Sequence, residues 1–91
     1  MHVNFYATLR PLAGGKTVEF DLPPGATARD LLEAVGARFP AIGELLWTGP
    51  GELGDYIKVF VNGREIRHLQ LLETPVPPGA EVDIFPPAAG G

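Results

Sequence analysis

Polar and apolar positions alternate from Val3 to Thr8, with Val3, Phe5 and Ala7 on one side and Asn4, Tyr6 and Thr8 on the other. The same period of two returns after "RPLAGGK", where Val18, Phe20 and Leu22 alternate with Thr17, Glu19 and Asp21. Two such runs around a Gly-Gly break predict a β-hairpin. The period then changes over "PPGATARDLLEAVGARFP". Thr27 suits an N-cap, Asp30 places an acid in the first turn where the helix dipole favours it, and Leu31, Leu32, Val35 and Phe39 follow at helical spacing. Pro40 is expected to end that helix.

The stretch "AIGELLWTGPGELGDY" is weakly patterned and reads as a connection, with a helical turn near Glu44 to Trp47. "IKVFV" is strongly β-prone, and Asn62-Gly63 is a strong two-residue hairpin signal leading into "REI". After "TPVPPGAE" a last strand runs from Glu81 or Val82 to Phe85. One helix laid across one face of a mixed sheet packs these elements economically as a two-layer α+β domain. The expected core is Val3, Phe5, Val18, Phe20, Leu31, Leu32, Val35, Val59, Val61 and Ile84. The other sheet face then remains open, and Phe60 and Phe85 become candidate partner contacts there.

Composition narrows the function. At 91 residues the chain fits one domain, expected over residues 1–85, followed by a flexible tail over 86–91. No cysteine is present, which excludes a disulfide scaffold, Cys-ligated zinc and a thiol nucleophile, and suits a reducing compartment. Neither a signal peptide nor an apolar run of membrane-spanning length is legible, so the expected location is the cytoplasm, with no membrane partner. A net charge of −4, with scattered Lys and Arg, argues against nucleic acid. Two Asn, one Gln and one Met beside ten Pro match the avoidance of thermolabile residues, or a GC-rich genome.

Two nucleotide-binding motifs fail on context. "GPGELG" (49–54) matches G-x-G-x-x-G but precedes a strand instead of following one, and Pro50 removes a backbone N–H, so it reads as a mobile Gly-rich connection. "GKT" (15–17) lacks the glycine five residues upstream that a phosphate loop needs, where Arg10 stands, and a strand follows. Trp47 and Tyr56 flank the Gly-rich stretch and are expected to pack at the core edge. The chain has no serine, and His2 and His68 have no ligand-type neighbours, so neither a catalytic triad nor a metal site is expected. Side-chain catalysis is disfavoured.

The C-terminus is what remains. "IFPPAAGG" stops a strand with Pro86 and Pro87 and then narrows through Ala88, Ala89 and Gly90 to Gly91. Two terminal glycines arise by chance with a probability of roughly 2% at this glycine content. From Phe85 to Gly91 an extended backbone reaches about 20 Å, enough to enter a narrow channel and deliver its carboxylate to a distant site. A carboxylate is a poor acyl donor until activated, most simply as an acyl-adenylate, and no ATP site is visible in the chain itself.

On these residues the chain resembles the MoaD/ThiS branch of the ubiquitin-like sulfur carriers, above all the small subunit of molybdopterin synthase. The segments carrying the likeness are "MHVNFYATLR", "VEFDLPPGATARDLLEAV", "KVFVNGREI" and, most specifically, "TPVPPGAEVDIFPPAAGG". The resemblance implies a β-grasp fold and no bound cofactor. It implies adenylation of Gly91 by an E1-like enzyme of the MoeB type using ATP, then a thiocarboxylate at that residue. It further implies docking of the tail, Pro86, Pro87, Ala88, Ala89 and Gly90, with partners, among them a large subunit of the MoaE type in a heterotetramer, with sulfur passed to a pterin precursor of the molybdenum cofactor. "LWTGPGELGDY" and "RHLQLLETPV" lengthen the chain beyond a minimal carrier, in the manner of variants that thiolate tRNA or become attached to proteins. An inert β-grasp interaction module is the rival from another class.

Overall fold

The computed structural model describes residues 1–87. In chain order the elements are β1 (His2–Phe5), α1 (Leu9–Ala13), β2 (Thr17–Glu19), α2 (Ala28–Arg38), α3 (Pro40–Leu46), β3 (Trp47–Gly49), β4 (Glu52–Leu53), β5 (Lys58–Val61), β6 (Arg64–Glu65) and β7 (Glu81–Phe85). Two short 3-10 turns, Ile66–His68 and Leu71–Glu73, lie between β6 and β7. Five strands form one mixed sheet in the order β2-β1-β7-β5-β6, while β3 and β4 form a separate two-stranded ribbon. This is the α+β, β-grasp arrangement expected from the sequence.

The predicted helix starts where its cap chemistry places it. Thr27 is extended, its hydroxyl accepts the Asp30 N–H at 3.4 Å, and the Asp30 carboxylate accepts the Thr27 N–H at 3.0 Å, a reciprocal pair that satisfies two otherwise orphaned donors. Ala28, Leu31, Leu32 and Val35 are buried by α2 against Val3, Phe5, Val59, Val82 and Ile84 of the sheet. Pro40 does end α2, because the residue before a proline is pushed out of the helical region, and Phe39 sits at φ −127°, ψ 84°. The same proline then opens α3, where its missing N–H costs nothing at a first helical position. The expected short turn at Glu44 to Trp47 is therefore a helix from Pro40 to Leu46, and it adds Ile42 and Leu46 to the core.

Three other expectations are corrected. "RPLAGGK" holds the one-turn helix α1, which buries Leu9 and Ala13 and closes on Gly14 at φ +74°. The Gly-rich 49–54 stretch is the β3–β4 ribbon, turned by Gly51 at φ +69°. Trp47 is half-buried against the core as expected, but Tyr56 is 74% exposed. Of the ten expected core residues only Val18 falls outside the buried set, because β2 is an edge strand.

Helices α2 and α3 touch backbone to backbone at Gly36 and Gly43. A Cβ on Gly43 would lie 3.0 Å from Gly36 Cα and 3.3 Å from its carbonyl oxygen, with no flexible side chain to yield. Helix propensity favours alanine over glycine by about 1 kcal/mol, whereas overpacking costs about 1–3 kcal/mol. Gly43→Ala is thus expected to lower the stability measured by urea unfolding by up to about 2 kcal/mol. A more stable variant would show that the helices separate freely.

Candidate functional site

The site is built on β7, which is central in the sheet. It runs parallel to β1, with His2 opposite Glu81 and Phe5 opposite Ile84, and antiparallel to β5, with Lys58 opposite Phe85. Pairing on both sides anchors the strand through Ile84, and pairing with β5 continues to Phe85, the residue that precedes Pro86. At the other end the Asn62-Gly63 turn, both residues at positive φ, is tied to the start of β7 by Asn62 N–H to the Glu81 carbonyl (2.8 Å) and Glu81 N–H to Asn62 Oδ1 (3.0 Å). The C-terminal segment therefore leaves from the middle of a rigid sheet.

Strand alternation sends Val82 and Ile84 to the helices and Glu81, Asp83 and Phe85 to the opposite, open face. Phe85 stacks on Tyr6, with ring centroids 4.1 Å apart and planes 11° from parallel, and meets Phe60 edge-on at 5.6 Å and 77°. The three rings, Tyr6 just past the end of β1, Phe85 on β7 and Phe60 on β5, form a row, all half-buried. Beside Tyr6 lies the Arg10 guanidinium, 5.6 Å from the ring centroid, with Nε donating to the Phe5 carbonyl at 3.0 Å.

Below the aromatic row the face is polar and internally paired. Asp83 Oδ1 accepts from the Tyr6 hydroxyl at 2.9 Å and from Asn4 Nδ2 at 3.0 Å. Glu81 accepts from Asn4 at 3.0 Å and faces His2 Nδ1 at 3.0 Å, while His2 Nε2 lies 2.9 Å from Glu19. Hydrogen bonds from Asn4 and then His2 hold the Glu81 carboxyl below its ordinary value. The Asp83 hydrogen bond, followed by desolvation and the charge of Asp83, raises the Tyr6 phenol above its ordinary value of 10.0.

A raised phenol contributes stability that is fully present below its unfolded value and is lost as pH climbs through the folded value. An ultraviolet phenolate titration is expected to show Tyr6 ionising late, and Asp83→Asn is expected to return it toward 10. The late ionisation surviving in Asp83→Asn would dismiss this assignment.

Of the candidate partner residues, Phe60 and Phe85 lie together on the open face, Pro86 is half-buried beside them in sequence and Pro87 is exposed. Ala88, Ala89, Gly90 and Gly91 lie outside the described residues. Sequence reasoning missed Tyr6, Asn4, Arg10 and Asp83. The alternation in β1 already put Asn4 and Tyr6 on the polar side, but their partner Asp83 stands 77 to 79 positions away. No cluster of His, Cys, Asp and Glu suited to a metal occurs among the described residues, and no helix there is long and apolar enough to cross a membrane.

A five-stranded sheet, an aromatic row and a last strand that ends beside that row define the site. The family model described as "ThiS family" matches residues 3–91, from the first strand through the terminal glycine. The chain belongs to the ThiS family. This ThiS-family chain is 34% identical to small archaeal modifier protein 3 of Haloferax volcanii over 92 aligned residues, covering 100% of this chain and 98% of the relative. It is 32% identical to the sulfur carrier protein CysO of Mycobacterium tuberculosis, covering 98% and 96% respectively. Among solved structures, SAMP1 from Haloferax volcanii superposes with a TM-score of 0.86 at 33% identity, over 99% of this chain and 97% of that one. The family is that of the ubiquitin-like sulfur carriers and modifiers, as the resemblance implied. The narrower expectation of a molybdopterin synthase small subunit is less well matched by these relatives than the carrier and modifier roles.

Proposed function

We propose that this chain is a carrier whose reactive group is the Gly91 carboxylate, activated by an E1-like enzyme and then used either to donate sulfur or to modify proteins. The observation that carries the reading is the family match running through Gly91. The two uses share a first step. The carboxylate attacks the α-phosphate of ATP, pyrophosphate leaves, and a glycyl-adenylate results. A sulfide nucleophile that displaces AMP then leaves a thiocarboxylate; an amine that displaces AMP instead loses a proton and leaves an amide. ATP belongs to the activating enzyme, and this chain contributes the acyl group and the surface that positions it.

The open face supplies that surface. Tyr6, Phe60 and Phe85 are the half-buried aromatic anchors beside the exit, suited to desolvated contact, while the paired polar groups below them form a rim. Service in molybdopterin synthase, with a MoaE-type large subunit in a heterotetramer, is the second reading, favoured by the "FPPAAGG" ending.

Intact mass spectrometry of the purified chain after incubation with an E1-like enzyme, ATP and a sulfide source tests the proposal. The expected gain is the difference between a sulfur and an oxygen atom, on the C-terminal peptide. A chain that neither exchanges pyrophosphate with ATP nor gains sulfur with the E1-like enzymes of its own host is the inert interaction module instead.

A further inference from the structure

At the β6 edge of the sheet lies a groove of about 550 Å³, of whose lining only Phe60 belongs to the aromatic row. Its apolar lining is Phe60 and the 39%-exposed Leu69, and its polar lining is Lys58, Arg64, Glu65 and His68. The charge here runs against that of the whole chain, which is −4. Glu65, the single acid, is already engaged: it accepts the Arg67 N–H at 2.8 Å and lies 3.8 Å from the Arg67 guanidinium. Lys58 and Arg64 are exposed, and neither forms an ion pair among the described residues, whereas Arg29 and Arg67 do. Two cations without an ion pair among the described residues and an imidazole thus surround two apolar side chains.

The neighbouring backbone adds direction. Strand β6 is the outer edge of the five-stranded sheet and only two residues long, so its outward N–H and C=O groups face no protein strand. An extended segment passing along that edge would meet the cations and the apolar floor together.

We infer that this groove binds an extended acidic peptide segment of a partner protein, with an Ile or Leu side chain seated between Phe60 and Leu69 and its carboxylates on Lys58 and Arg64. Nucleic acid fits less well, because two cations on a net-negative chain neutralise too little phosphate for appreciable affinity. Phe60 also belongs to the aromatic row, so a partner docked on the open face can extend such a segment into the groove without a break in the contact.

The test uses the full chain and a short blocked peptide alternating Asp or Glu with Ile and Leu, followed by backbone amide chemical shifts. The expected perturbations fall on Lys58, Phe60, Arg64, His68 and Leu69. The double variant Lys58→Glu, Arg64→Glu is expected to weaken binding about tenfold or more, and raised salt is expected to weaken binding to the native chain. Both changed side chains are exposed, and an unchanged amide pattern elsewhere confirms the fold. Unaltered affinity in that variant overturns the inference. So does equal binding of the peptide with Ala for Ile and Leu, or tighter binding of a single-stranded oligonucleotide. If a chain ending at Pro87 shows shifted groove amides without any peptide, the protein's own C-terminal segment is the occupant, and the inference fails. Neither ATP nor an activating enzyme enters the experiment, so its failure leaves the carrier reading untouched.

Discussion

Deleting Gly91, or adding one residue after it, is expected to abolish adenylation and thiocarboxylate formation while the domain stays folded. The proposed chemistry needs a free α-carboxylate at a fixed distance from the sheet, because an activating site would have to bring it to the α-phosphate of ATP within bonding reach. One residue changes the reach by about 3.3–3.6 Å, and misplacement of about 1 Å can cost a hundredfold in rate. Gly90→Val is expected to act similarly, since it places a β-branched side chain where the sequence keeps the chain thin. The core among the described residues ends at Ile84, so unfolding free energies should stay within about 0.5 kcal/mol of the native value. ATP–pyrophosphate exchange reads the first step and intact mass the second. An extended chain that is thiolated as readily as the native one would show that the reaction does not require the fixed reach that ends at Gly91.

Leu32→Ala is expected to be the costliest of the substitutions considered for stability, at about 2–5 kcal/mol. Leu32 has no exposed surface and stands on the buried face of α2, within the core cluster. At roughly 4–8 °C per kcal/mol for a domain of this size, the thermal midpoint should fall by at least about 8 °C. Phe60→Ala makes the informative contrast. That ring is half-buried on the open face, so its loss should cost less stability and instead raise the KM for the chain in adenylation. Reversed behaviour of the two variants would mean that the open face is structural and that the docking surface lies elsewhere.

Local chemistry accounts for the parts of the fold that could be read directly. Thr27 and Asp30 cap α2 because both partners of the capping box lie three residues apart, and Asn62-Gly63 turns β5 into β6 because both residues tolerate positive φ. Elements whose stability comes from packing were read less well. Residues Leu9–Ala13 contain Pro11 and lie beside Gly-Gly, so they look like a turn, and they form a helix because Leu9 and Ala13 find the core. Leu46 is not among the expected core residues because it lies in a stretch without a clear period, and Ile57 and Ile66 stand at the ends of predicted strands, where only packing decides burial.

The candidate site divides along the same line. By itself the sequence determined the Gly-Gly ending, the prolines that halt the last strand, the lack of any cysteine or serine and the type and approximate position of the main helix and of the strands around it. These depend on residue identity and on neighbours a few positions away. Only the tertiary structure decided that β7 lies between β1 and β5, that Tyr6 stacks on Phe85 with Phe60 against its edge, and that Lys58 and Arg64 share a groove with Leu69. Those contacts join residues up to 79 positions apart, and which sheet face stays open depends on where the helices pack, a condition that no local period carries.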